Sequence, residues 1–161
     1  MLFFSQLLFY LLIGSSSASN CGTSPTQNFY NNDLDTLSSC QIINGSLYIH
    51  GEYNLQNLDK LSNLERITGN LVIKDSHVLD TLKGLHNLKQ IDGDDLYLNQ
   101  YAVLIEDNNN NLNDNNHGLC FANTVNWTSI TDKTVLISNN GNNCPSCHPQ
   151  CKDCFGPGMN L

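Results

Sequence analysis

The densest set of reactive side chains in the sequence is Cys144-x-x-Cys147-His148-x-x-Cys151-x-x-Cys154, which has the residue types of a zinc or iron–sulfur box. Zinc ribbons and trebles use two ligand pairs on a longer loop so that the pairs converge tetrahedrally, and only three residues separate Cys147 from Cys151. All seven cysteines, at 21, 40, 120, 144, 147, 151 and 154, lie beyond an apolar leader, so disulfides formed on an export route are the expected chemistry and no metal ligand is assigned. Seven is odd, so one thiol is left over.

No other constellation points to catalysis. The histidines at 50, 77, 86, 117 and 148 are scattered singly, none at helical spacing from a second ligand or beside an evident nucleophile. Asp94-Asp95 reads as a solvated bulge, because paired acid–base work needs two environments that split the pKa values. There is no Gly-rich phosphate loop, Gly-x-Ser-x-Gly elbow or His-Glu-x-x-His motif. A non-enzymatic chain without cofactor is expected. Two sequons, Asn44-Gly-Ser46 and Asn126-Trp-Thr128, fit export and mark Asn44 and Asn126 as glycan acceptors.

The chain opens on Leu2–Ile13, an apolar run broken only by Ser5 and Gln6 and followed by small polar residues, so residues 1–19 are expected to be a signal peptide. Such a run falls short of the roughly 30 Å needed to span a bilayer, which argues against a stable membrane anchor. The product is expected to be secreted and extracellular, with a mature part of about 140 residues, enough for one domain with a real core. Seven Lys and Arg stand against 15 Asp and Glu, a net charge of -8 without any basic cluster, which excludes a nucleic-acid partner on electrostatic grounds.

A self-similarity sets the architecture. Ile43-Asn-Gly-Ser-Leu-Tyr-Ile49, Ile67-Thr-Gly-Asn-Leu-Val-Ile73 and Ile91-Asp-Gly-Asp-Asp-Leu-Tyr-Leu98 align, and the step from Ile43 to Ile67 to Ile91 is 24 each time. Gly45, Gly69 and Gly93 keep it, and Leu61-x-x-Leu64 recurs as Leu85-x-x-Leu88. A period in the twenties marks a solenoid whose turns bury their apolar faces against one another. Alternation within each copy predicts parallel strands, the third ending on Leu96 and Leu98, with Asn44 pointing outward between Ile43 and Gly45 and therefore the more fully modified of the two glycan acceptors. The repeated glycine predicts a bend or a close approach that a Cβ would block.

Outside the repeat, Asn32–Ser39 predicts a short cap helix with Asn32 as N-cap and Leu34 and Leu37 on one face. Leu119-Cys-Phe121 and Thr134–Ile137 read as strands, the Asn-rich stretch 107–116 as a loop, and Trp127, the lone Trp, as core packing. Leucine-rich repeats share the period, but the positions where an Asn ladder would follow each strand (Tyr53-Asn54, Asp75-Ser76, Asn99) are inconsistent.

Several stretches carry a family resemblance. Gly118-Leu-Cys-Phe-Ala-Asn-Thr-Val-Asn-Trp127, then Val135-Leu-Ile-Ser-Asn-Asn-Gly-Asn-Asn-Cys144, resembles the closing segment of receptor L domains, as found in insulin-receptor and epidermal-growth-factor-receptor ectodomains. Cys40-Gln-Ile-Ile-Asn-Gly-Ser-Leu-Tyr-Ile49 is similar to the family's first strand, Leu64–Ile73 to its inner turns and Leu96–Leu104 to its edge turn. Cys147 to Pro157 resembles the start of a furin-like cysteine-rich region. One departure is that the Asn-rich loop stands where the family commonly has another Leu-rich turn.

The resemblance implies a right-handed parallel β-helix with about 24-residue turns and a short N-terminal cap helix, an L domain over 20–144 and a truncated furin-like tail over 145–161. It also implies the pairs Cys21–Cys40 and Cys120–Cys144. The furin-like pattern joins Cys147 to Cys154 and leaves Cys151 unpaired, open to a disulfide-linked homodimer. The function it implies is capture of a secreted insulin-like or growth-factor-like peptide on the sheet face, as a soluble receptor-like or decoy protein. The alternative is a structural or homotypic interaction module, or a receptor ectodomain fragment without ligand affinity of its own.

Overall fold

A computed structural model of the chain describes residues 18–51, 54–108, 118–141 and 144. The expectations for the leader, the Asn-rich loop, Cys147, Cys151, Cys154 and the tail lie outside these residues.

Nine strands among the described residues build two parallel sheets. The first contains β1 (Asn20–Cys21), β3 (Ile42–Ile43), β5 (Arg66–Ile67) and β7 (Gln90–Ile91), in that order. The second contains β2 (Asn28–Phe29), β4 (Ser46–His50), β6 (Leu71–Lys74), β8 (Val103–Glu106) and β9 (Val135–Ser138). Every pair of strands is parallel, so the chain returns to the same end after each coil.

The register shows what stacks. Ile43, Ile67 and Ile91 pair in one ladder of the first sheet, and Leu47, Leu71, Val103 and Val135 pair in the second. The return segments add three more ladders: Leu34, Leu58 and Leu82; Leu37, Leu61 and Leu85; and Cys40, Leu64 and Leu88, all buried. Within a coil these residues stand three apart. That spacing selects 3-10 geometry, with three residues per turn and side chains at i and i+3 eclipsed, over an α-helix. Segments Asp59–Leu61 and Lys83–Leu85 are accordingly 3-10 helices.

The same rule corrects the cap. In place of a helix over Asn32–Ser39, Asn31–Asp33 forms a 3-10 turn whose N-cap is Tyr30, continued by hydrogen-bonded turns that bury Leu34 and Leu37. No described segment is α-helical.

Gly45, Gly69 and Gly93 form the corner between the sheets, where Gly69 N donates to Gly45 O at 2.8 Å and Gly93 N to Gly69 O at 3.1 Å. A Cβ on Gly69 would run into Ser46 Oγ and the Gly45 carbonyl, so backbone stacks directly on backbone here. The corner also ends the simple alternation: Ser46 is buried beside Leu47, and its hydroxyl accepts from Asn70 N at 3.0 Å.

The third coil departs from the sequence reading. Its strand in the second sheet is Val103–Glu106, not Leu96–Leu98, so Leu71 pairs with Val103 and Ile73 with Ile105, 32 residues on. Residues 94–101 make an excursion instead, in which Tyr97 and Tyr101 form an antiparallel bridge. Val103 and Ile105, both β-branched, are fully buried, whereas Leu98 is 71% exposed. Leu119-Cys-Phe121 is likewise a turn rather than a strand, entered through a bridge between Gly118 and Gly141.

An asparagine ladder follows the second sheet after all. Asn108 Nδ2 donates to Ile73 O and to Asn140 Oδ1, Asn108 Oδ1 accepts from Ser76 N at 3.0 Å, and Asn140 Nδ2 donates to Ile105 O. Ser76, Asn108 and Asn140 are buried. Sequence reasoning looked for this ladder at Tyr53-Asn54, Asp75-Ser76 and Asn99; Ser76 joins it through its backbone N–H, and its asparagines come after Ile105 and Ile137.

Candidate functional site

Cys21 and Cys40 are joined by a disulfide with Cα atoms 5.8 Å apart, tying β1 to the end of the first return segment. Cys120 and Cys144 are joined across 24 residues, Cα atoms 5.5 Å apart, and seal the last coil. Cys144 is thereby committed to sulfur and is withdrawn from the thiol string that resembles a metal box. Each link removes freedom from the unfolded chain. By the chain-entropy relation each contributes about 3 kcal/mol. The double substitution Cys21→Ala/Cys40→Ala is therefore expected to lower unfolding stability by roughly 3 kcal/mol with no change in near-neutral secondary structure, as measured by urea unfolding followed by circular dichroism.

Several titratable residues among those described meet in pairs. Arg66 meets Asp92 through two guanidinium nitrogens at 2.9 and 2.6 Å, and this partner raises the arginine pKa above its ordinary value. Lys74 Nζ lies 2.9 Å from Glu106 Oε1, which raises the lysine pKa against the opposing effect of burial. His50 Nε2 is 3.0 Å from Asp75 Oδ2, and Lys60 pairs with Asp35. No group of three or more His, Cys, Asp or Glu among the described residues could hold a metal ion. Asp94 is exposed.

The outward face of the second sheet is different in kind. Leu47, Ile49, Leu71, Ile73, Val103 and Ile105 point into the core, so alternation places Tyr48, Val72, Leu104 and Leu136 outside, and the register sets these four in one row. Beside it runs the polar row His50, Lys74, Glu106 and Ser138. Strands that are apolar on both sides belong to sheets covered on both faces. The outer face is covered at its middle, where Val72 and Leu104 are 2% and 3% exposed, and is more open at Tyr48 and Leu136, which are half-buried.

Tyrosines extend the row at one end. Tyr30, 53% exposed, stacks on Tyr48 at a ring distance of 5.5 Å, and Tyr97 tilts against Tyr48 at 6.0 Å. Tyr48 is fixed from below, because its hydroxyl accepts from Asn70 Nδ2 at 3.2 Å. A cavity of about 380 Å³ opens between Tyr30, Tyr48, Val72, Lys74 and Tyr97. Aromatic side chains held rigid on a sheet, with an aliphatic floor and a polar border, are suited to bury apolar side chains of a protein partner. No nucleophile–base pair accompanies them.

Sequence reasoning named the sheet face but none of these residues. A signal was present: Tyr48, Val72 and Leu104 are apolar where alternation asks for polar side chains. Tyr97 carried none, since its position depends on the excursion of the third coil.

The two sequons fall in unlike surroundings. Asn44 is half-buried and its Oδ1 accepts from the Thr68 hydroxyl at 3.2 Å, so it is less open than alternation alone predicts. Asn126 is exposed, with the Thr128 hydroxyl 2.8 Å from its Oδ1. Its neighbour Trp127 is buried and donates its indole N–H to Ala122 O at 2.9 Å.

No helix among the described residues is long and apolar enough to cross a membrane. Compared with known families, residues 39–152 match the model described as Receptor L domain.

Proposed function

The chain belongs to the receptor L-domain family, whose members are ligand-binding modules of receptor ectodomains, and from that premise we propose that it is a secreted, non-enzymatic binding protein. It takes a secreted insulin-like or growth-factor-like peptide on the outward face of the second sheet, as a soluble receptor-like or decoy protein. The observation that carries this reading is the cluster Tyr30, Tyr48 and Tyr97, which borders a cavity of about 380 Å³ at the open end of that face, with Tyr30 53% exposed. Of the competing readings, a receptor fragment without affinity of its own gives that cluster no role, and a homotypic module would place a second copy on it.

A panel of purified insulin-like and epidermal-growth-factor-like peptides, titrated onto the immobilised protein by interferometry, tests the proposal. At least one is expected to bind at micromolar Kd or tighter, and Tyr48→Ala is expected to weaken it at least tenfold, as removal of a buried aromatic anchor does. Binding no tighter than tens of micromolar across the panel, with concentration-dependent self-association of the protein, would favour the homotypic reading.

Export carries its own proposal. A glycan needs an acceptor whose amide projects into water, and Asn126 is the more exposed of the two. Asn126 is therefore expected to be modified more fully than Asn44, the reverse of the order that alternation suggested. Glycopeptide mass analysis of the secreted protein reads the two occupancies directly. For the tail, we keep the Cys147–Cys154 pair with Cys151 free to form an intermolecular disulfide, and a dimer band on non-reducing gels that Cys151→Ser removes is the expected result.

A further inference from the structure

The excursion of the third coil is built to present one side chain. Leu98, at 71% exposure, is more exposed than any other large hydrophobic residue among those described. Its φ is +52° and that of Asn99 +55°, so the two occupy the central positions of a turn of the I′ kind, closed by Gln100 N donating to Tyr97 O at 3.0 Å. Such turns favour Asn, Asp and Gly. Asn99 fits, and Leu98 does not, because a bulky side chain at positive φ is strained.

The base of the turn is held firmly. Tyr97 and Tyr101 exchange two backbone hydrogen bonds at 2.9 and 3.0 Å. Below them Asp94 N donates to Thr68 O at 2.9 Å, and buried Asn70 Nδ2 donates both to Asp95 O at 2.9 Å and to the Tyr48 hydroxyl. The Tyr97 ring then closes on Tyr48. A strained conformation persists only where its surroundings over-determine it, and these surroundings do. An exposed, strained leucine contributes nothing to the core that Asn or Gly would not.

We propose that Leu98 is a preorganised anchor that enters an apolar pocket of the protein ligand bound on the adjoining sheet face, a pocket rimmed by basic residues. The proposal rests on the binding face described above and adds the chemistry of the partner. Fixing the turn before binding spares the ordering entropy that a mobile loop would lose. The basic rim follows from charge: Asp92, Asp94 and Asp95 precede the turn, residues 90–101 contain no Lys or Arg, and Arg66 pairs directly with Asp92 while Asp94, which is exposed, acts on it only through its field.

The test uses a phage-displayed library of disulfide-cyclised peptides, selected on the full secreted chain, with each clone titrated against wild type, Leu98→Asn, Tyr48→Ala and the distant control Lys89→Gln. Leu98→Asn keeps a turn-compatible residue and removes the anchor. It is expected to raise Tm by roughly 2–4 °C through relief of strain while weakening most clones at least tenfold, with selected sequences enriched in apolar residues beside Lys or Arg. Clones weakened by Tyr48→Ala and untouched by Leu98→Asn would keep the sheet face and overturn the anchor. Clones indifferent to both would overturn the anchor and the face together. A lower Tm for Leu98→Asn would show that the leucine serves folding. A wild-type dimer in sedimentation that Leu98→Asn dissociates would assign the turn to a second copy instead, and a selected pool without basic residues would remove the basic rim.

Discussion

Replacing Asn108 by Leu is expected to lower unfolding stability by about 3 kcal/mol, although the two side chains are close in size. Asn108 is fully buried between two coils and its amide serves three partners: the Ser76 amide N–H, the Ile73 carbonyl and the Asn140 side chain. Leucine fills the space and removes the side-chain partner of the Ser76 amide and the Ile73 carbonyl, while Asn140 keeps its bond to Ile105 O, and each buried polar group so orphaned costs about 1–3 kcal/mol. Asn123 is exposed in the 3-10 segment Ala122–Thr124, so Asn123→Ala is expected to stay within about 0.5 kcal/mol of wild type. Urea unfolding of the three proteins with disulfides intact makes the comparison. A loss below 1 kcal/mol at Asn108 would mean that the ladder does not hold the coils in register.

Gly84→Ala is expected to cost as much or more through a wholly different cause. Gly84 is buried in the 3-10 segment Lys83–Leu85, directly against the preceding coil, and a Cβ there would meet the Leu58 carbonyl group and Leu58 Cβ. These are backbone and near-backbone atoms of a buried residue, so no flexible side chain can swing aside. Two coils would have to part. Overpacking of this kind costs about 3 kcal/mol, and more where the backbone cannot shift. Poor secretion and a lowered Tm are the expected readouts, set beside Lys83→Ala, an exposed neighbour for which little change is expected. Equal secretion and Tm for Gly84→Ala and wild type would mean that the return segments are not in contact as described.

The sequence showed the solenoid because its period is written in residue types. Ile43, Ile67 and Ile91 sit at identical positions of the first sheet in successive coils, fully buried in one ladder, so the repeat survived intact. It lost its guide where the coil lengthened. From Ile91 onward the excursion through Leu98 shifts the strand to Val103, and local alternation cannot distinguish Leu96-Tyr-Leu98 from a strand when the deciding contact is with β6. The cap failed for a related reason. Leu34, Leu37 and Cys40 stand three apart, as in the coils that follow, and that comparison across repeats carries more information than the helix signals of the segment alone. The binding face was half-legible: Val72 and Leu104 are apolar on the wrong side of their strands, but the grouping of Tyr30, Tyr48 and Tyr97 comes from three separate coils and exists only in the fold.

Amide hydrogen exchange, followed by mass spectrometry on the protein alone and with the tightest-binding peptide of the panel, locates the ligand on the solenoid. Protection confined to peptides covering Ser46–His50, Leu71–Lys74 and the turn at 96–101, with the first-sheet strands at Ile42, Arg66 and Gln90 unchanged, is the result expected of a ligand on the second-sheet face. Protection centred on the first sheet, or on the 3-10 returns at Asp59–Leu61 and Lys83–Leu85, would contradict it.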